Sequence, residues 1–140
     1  MSYWLMKSEP ETFGIDHLDK LPNKITPWDG VRNYQARNYL KSMKKGDQAF
    51  FYHSSCKIPG ITGIVEVVRE AYPEKNQLGT PSWFCVDVKL IQKFSHIITL
   101  TDLRKMHDLD DMVILRKGNR LSVTPVDIKE WKVISRLLAQ

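Results

Sequence analysis

The segment from Trp83 to Lys93 alternates, with Phe84, Val86, Val88 and Leu90 on one side and Cys85, Asp87 and Lys89 on the other. Successive strand residues point to opposite faces, so this is a half-exposed strand whose apolar side needs a covering layer. A chain carrying it must build a sheet. Gln48-Ala49-Phe50-Phe51-Tyr52-His53-Ser54, after the Gly46-Asp47 turn, is a dense β-forming run, and Ile61 to Arg69 forms another strand after Pro59-Gly60. Tyr3 to Lys7 is a shorter strand, ended by the Glu9-Pro10 step and expected near the sheet centre.

Helices are dispersed among these strands. Ile15, Leu18 and Leu21 repeat near helical spacing until Pro22 stops them. Gln35 to Lys45 contains no Gly or Pro and ends at Gly46. Ala36, Tyr39, Leu40 and Met43 share one face of it, and Arg37, Lys41, Lys44 and Lys45 form an opposite stripe with no acid among them. Glu74 to Ser82, with Asn76, Gly79 and Pro81, reads as a surface loop. Thr101 to Met106 is expected as a brief helix and Met112 to Leu115 as a short strand. Thr124-Pro125-Val126-Asp127 reads as a helix start, with a capping Thr and Pro at the first helical position. That helix runs to about Leu138, with Ile128, Trp131, Ile134 and Leu138 facing a sheet. The class expected is α+β, with a strongly curved sheet or small barrel, in one domain spanning residues 1–140.

At 140 residues the chain can bury a core without disulfides or metal. Cys56 and Cys85 lack any paired spacing, which suits buried thiols in a reduced cytoplasm. No apolar stretch is long enough for a membrane span or a secretory leader, so no membrane partner is expected. Lysine and arginine exceed the acids by a net charge of +5, which favours polyanions where the surplus clusters on one face.

Most familiar chemistries are not signalled. His53 and Ser54 are adjacent on a strand, where they point to opposite faces, and no GxSxG elbow is present. His17, His53, His96 and His107 lack metal-ligand spacing, and the glycines form no phosphate or dinucleotide loop, so neither metal nor cofactor is expected. What remains is binding. Trp28-Asp29-Gly30-Val31-Arg32-Asn33 sets an aromatic ring, a Gly turn and a guanidinium near a helix entrance, although a Trp in this setting also suits a core. Lys7, Ser8 and Glu9 bring a cation, a hydroxyl and a carboxylate to a strand end; a helix cap with a surface ion pair is the structural alternative. Arg116 to Val123 adds three positive charges, Arg120 among them.

In that order, Tyr3-Trp4-Leu5-Met6-Lys7-Ser8-Glu9-Pro10, Trp28 to Asn38, and Phe50-Phe51-Tyr52-His53-Ser54 resemble the EVE domain. Pro59-Gly60-Ile61, Gly63, Glu66, Val86-Asp87-Val88 and Arg120-Leu121-Ser122-Val123 before Pro125 agree, so the resemblance covers nearly the whole chain. It implies a PUA-like fold related to YTH and ASCH domains, and a cleft for a modified base such as a modified cytosine in DNA. By motif, the resemblance makes Lys7, Ser8, Glu9, Trp28, Asp29, Asn33 and Ser54 the base-binding candidates, with Arg32 and Arg120 beside them.

The function expected is therefore a non-catalytic nucleic-acid reader, of DNA or RNA, that needs no cofactor and has a monomer as its favoured state. Arg37, Lys41, Lys44 and Lys45, with Arg32 and Arg120, would contact the nucleic-acid backbone in a salt-sensitive way. Two alternatives stand beside it. An ASCH-like amidohydrolase would use Lys7, Ser8 and Glu9, and a protein or small-metabolite module would use the basic surface.

Overall fold

The structure is a computed structural model that describes residues 1–75 and 77–138; Asn76, one of the expected loop residues, lies outside them. Among the described residues there are six strands: β1 (Tyr3–Ser8), β2 (Ile25–Trp28), β3 (Gln48–His53), β4 (Gly60–Pro73), β5 (Phe84–Thr99) and β6 (Val123–Val126). They form one open sheet in the order β2-β5-β4-β3-β1-β6. β1 runs parallel to β3 and the other pairs are antiparallel, so the sheet is mixed. Five α-helices accompany it among the described residues: α1 (Pro10–Phe13), α2 (Ile15–Asp19), α3 (Tyr34–Ser42), α4 (Leu100–Arg104) and α5 (Ile128–Leu138).

The sheet is covered on both faces, which is why β1 and β3 read as nearly continuous apolar runs. Trp4, Met6, Ala49, Phe51, Val65, Val67, Val86 and Val88 pack with Ile15, Leu18, Ala36, Leu40 and Met43 of the α2 and α3 side. Leu5, Phe50, Tyr52, Ile61 and Ile64 pack with Leu103, Leu109, Trp131 and Ile134 on the other. Phe50 and Trp131 stack at 4.0 Å between ring centroids.

β4 and β5 are long and their register shifts at four places. Each irregularity bends the ladder and deepens its twist. The sheet therefore curls until Trp28, on the edge strand β2, meets Phe51 of β3 edge-on at 5.3 Å, although β5 and β4 lie between them in strand order. This curl places the ends of β1 and β2 side by side.

Five local expectations are corrected. β1 stands fifth in the strand order, between β3 and the edge strand β6, and not at the sheet centre. α3 ends at Ser42 with Met43 as its cap, so Lys44 and Lys45 lie in the turn after it, where Asp47 Oδ2 accepts from Lys44 N at 3.0 Å, and not on its basic face. Thr124 and Pro125 continue as strand β6 on β1, and the helix cap falls three residues later, at Asp127. There Asp127 Oδ1 accepts from Glu130 N at 2.8 Å while Glu130 Oε1 accepts from Asp127 N at 3.1 Å, a reciprocal cap that outcompetes the Thr-Pro signal. Val113–Leu115 forms a 3-10 turn in place of a strand, because Ile114 is drawn into the second core while no neighbouring strand pairs with it. Ile128 is 56% exposed, so the sheet-facing stripe of α5 begins at Trp131.

Candidate functional site

Where the curl brings the ends of β1 and β2 together, a cleft of about 340 Å³ opens. Lys7 and Ser8 of β1, Thr12 and Phe13 of α1, Thr26, Pro27 and Trp28 of β2, and the turn residues Asp29 and Gly30 line it. β2 is an edge strand, so Pro27 can stand in it without costing a central ladder bond. Gly30 takes a φ of +79°, the left-handed turn that leads the chain away from Trp28.

The walls are firmly set. The Ser8 hydroxyl donates to Phe13 O, and Ser8 O accepts from Ser54 N at 3.0 Å. His53 Nε2 accepts from Ile15 N at 3.1 Å, while Phe13 lies 5.8 Å from His17 and 6.4 Å from Phe51. Gly63 admits this layer: a Cβ there would stand 2.3 Å from Ile15 Cδ1 and 2.4 Å from Gln92 O. Trp28 is only 6% exposed and belongs to the core, lending the cleft its remaining accessible surface. Partial burial pushes the Lys7 ammonium below its ordinary pKa, so an acceptor or anion entering the cleft would recover lost solvation for it. Lys7 and Asp29 thus offer a cation and a carboxylate between the apolar surfaces of Phe13, Pro27 and Trp28. A small planar ligand with polar edges suits such a lining.

The other sequence candidates lie around this cleft. Glu9 is exposed and outside the lining. Asn33 caps α3, its Oδ1 accepting from Ala36 N at 3.0 Å, a signal readable as Asn at an N-cap. Ser54 supports Ser8 through its backbone. Thr12, Phe13, Thr26 and Pro27 escaped sequence reasoning, which had no means of folding α1 back over the end of β1.

Beside the cleft lies a cationic and aromatic flank. Arg32 grips Glu74 through two bonds of 3.1 and 3.0 Å, and the hydrogen-bonded Glu74 carboxylate raises the guanidinium pKa further. Glu74 Oε2 also accepts from Gly30 N at 3.2 Å, tying this pair to the cleft rim. Tyr34 and Trp83 stack at 5.0 Å; Arg32 lies 5.0 Å from the Trp83 ring and Arg37 5.0 Å from the Tyr34 ring. Arg37 donates to Ser82 O at 2.8 Å and to Asn38 Oδ1. The Lys41 ammonium sits 4.6 Å from the Phe84 ring centroid. Among the described residues, Lys41, Lys44 and Lys45 form no ion pair, and Arg120 is exposed outside the cleft lining. Among the same residues no group of three potential metal ligands converges, and no helix is long and apolar enough to cross a membrane.

Comparison with known proteins gives this arrangement its relatives. The EVE domain family model matches residues 2–137. Thymocyte nuclear protein 1 of Danio rerio is 41% identical, in an alignment that covers 97% of this chain and 71% of that protein. The crystal structure of human THYN1 protein in complex with 5-methylcytosine containing DNA has a TM-score of 0.92 and 38% identity, covering 100% of this chain and 99% of that one. The Mmi1 YTH domain, crystallised in complex with RNA, shares the fold at a TM-score of 0.58 and 13% identity, covering 99% of this chain and 77% of that one. The family model spans nearly all of the sequence and the relatives align along their length, so the chain belongs to the EVE domain family.

Proposed function

We propose that this protein is a non-catalytic reader that takes one modified base of DNA, a 5-modified cytosine foremost, into the cleft between β1 and β2. The observation that carries the reading is the lining itself: apolar faces from Phe13, Pro27 and Trp28 around one cation and one carboxylate. Its volume of about 340 Å³ lies at the small end of the ligand-site range, about 300–1,000 Å³, which suits a base better than a large cofactor. In this reading the Asp29 carboxylate accepts from the exocyclic amino group of cytosine, and Lys7 donates to the ring's acceptor edge. The apolar surfaces take the methyl group. The DNA-bound human relative supports a DNA ligand for this chain as well. One chain supplies the whole lining, so a monomer suffices, and the free thiols Cys56 and Cys85 suit a reducing cytoplasm.

The amidohydrolase reading lacks the same support. Lys7 and Ser8 share the cleft, whereas Glu9 is exposed outside the lining and the Ser8 hydroxyl is committed to Phe13 O.

The test is titration of a short single strand carrying one 5-methylcytosine, against its unmodified twin, with wild type and Asp29→Asn. Trp28→Ala is a poor probe, since loss of a buried Trp costs about 3–5 kcal/mol of stability. Asp29 is exposed, so Asp29→Asn leaves the fold intact. Wild type is expected to prefer the methylated strand, and Asp29→Asn to bind it roughly fivefold more weakly, because the amide oxygen still accepts but without the charge that strengthens the bond. Equal binding of the two strands, or an undiminished affinity of the variant, would overturn the reading.

A further inference from the structure

The loop joining β4 to β5 is braced beyond the needs of a connector. The Gln77 side-chain amide donates to Glu74 O and Trp83 O, both at 2.8 Å, and accepts from Ser82 N at 3.0 Å and Trp83 N at 2.9 Å. Glu74 N closes the base of the loop on Trp83 O at 3.0 Å. One side is fastened to the α3 entrance by the Tyr34–Trp83 stack, by Arg37 on Ser82 O and by Arg32 on Glu74. Through Glu74 and Gly30 N its root is fixed to the rim of the cleft. The finger braced at Glu74, Gln77, Ser82 and Trp83 carries Leu78 beside Gln77, 99% exposed and followed by Gly79 at a φ of +72°.

A scattered exposed Leu has no special meaning on a protein surface. Here the residue stands on a loop whose ends are held by Arg32 and Arg37 and whose root is tied to the cleft rim, with the exposed Lys75 three residues before it. Four residues span at most about 14 Å, so the tip lies within about four base steps of the backbone of Glu74, whose carboxylate reaches the cleft rim at Gly30 N. A cleft that encloses a base can act on duplex DNA only if that base leaves the stack, and the vacated step is unfavourable unless something fills it. Apolar side chains do this in proteins that unstack DNA, and a pre-ordered support spares the entropy of arranging them.

We propose that Leu78 is a wedge that enters the base stack of duplex DNA at the step vacated by the base held in the cleft. The inference rests on the base-reader reading and adds a duplex-specific element to it. Its test compares one 5-methylcytosine oligonucleotide as a single strand and as a DNA duplex, with wild type and Leu78→Ala, and adds 2-aminopurine beside the methylated base. Leu78 has almost no contacts to lose, so the variant folds as wild type does. The duplex affinity of Leu78→Ala is expected to fall about tenfold, with the single-strand affinity unchanged within about twofold. The 2-aminopurine brightening on duplex binding is expected to diminish with it. Equal loss on both substrates, or no loss on either, would overturn the wedge while leaving the reader in place. Failure of wild type to bind either DNA form would overturn the reader and the wedge together.

Discussion

Asp47 shows how much one buried carboxylate can hold together. It is 4% exposed and accepts from Ser2 N at 3.1 Å, from the Trp4 indole N–H at 3.1 Å and from Lys44 N at 3.0 Å. The three donors come from the start of the chain, from β1 and from the turn after α3, so one side chain locks a helix exit to the sheet. The sequence shows Asp47 only as a turn residue after Gly46. Its partner Trp4 is distant in the chain, and no spacing rule connects them. Removing the acceptor leaves buried donors unpaired, which costs more than the bonds contribute when formed. Asp47→Ala is expected to lower stability by about 3 kcal/mol in denaturant unfolding, with the slope of the transition unchanged. A loss below about 1 kcal/mol would mean that solvent replaces the carboxylate at little cost.

At the scale of elements, the cleft depends on how α1 and α2 lie against the sheet, and His53 is the polar fastener. Its Nε2 can accept from Ile15 N only while the ring is neutral, and burial pushes its pKa below the ordinary 6.5, with Asp16 opposing. As pH falls through about 6.5 the unfolded chain binds the proton first, so stability is complete above that value and is lost below it. The melting temperature is therefore expected to fall between about pH 6.5 and pH 5 by more in wild type than in His53→Gln, whose amide oxygen accepts at any pH. Parallel pH curves would assign the acid sensitivity to other groups. The elements themselves were unevenly legible. β1, β3, α3 and the body of α5 were readable because period and composition agree over several residues. β2 was not: it has four residues, one of them Pro27, and is a strand only because β5 extends far enough to pair with it. Four register shifts make β4 and β5 longer than their sequence patterns, and no local signal announces a ladder that bends. Trp28 was singled out, but its core placement follows from that bend and not from its neighbours in sequence.

For the whole molecule, the question is where a net charge of +5 acts. α3 packs on the same side of the sheet as Trp28, so its outer face and the cleft belong to one side of the molecule. Arg32 and Arg37, which sequence alone assigns to a nucleic-acid backbone, spend their donors on Glu74, Ser82 and Asn38, and so they brace the finger. Lys41, Lys44 and Lys45 are exposed and form no ion pair among the described residues. If a DNA strand leaving the cleft follows α3 and the turn after it, these three ammonium groups release its counterions, each contributing about 0.9 to the slope of log affinity against log salt. A Lys41→Ala, Lys44→Ala, Lys45→Ala triple variant is then expected to flatten that slope by roughly 2–3 while keeping the preference for the methylated base. The two outcomes separate because phosphate contacts carry affinity without sequence information, whereas the cleft reads the base. An unchanged slope would direct the strand away from α3, toward the exposed Arg120 and Lys117 on the loop before β6.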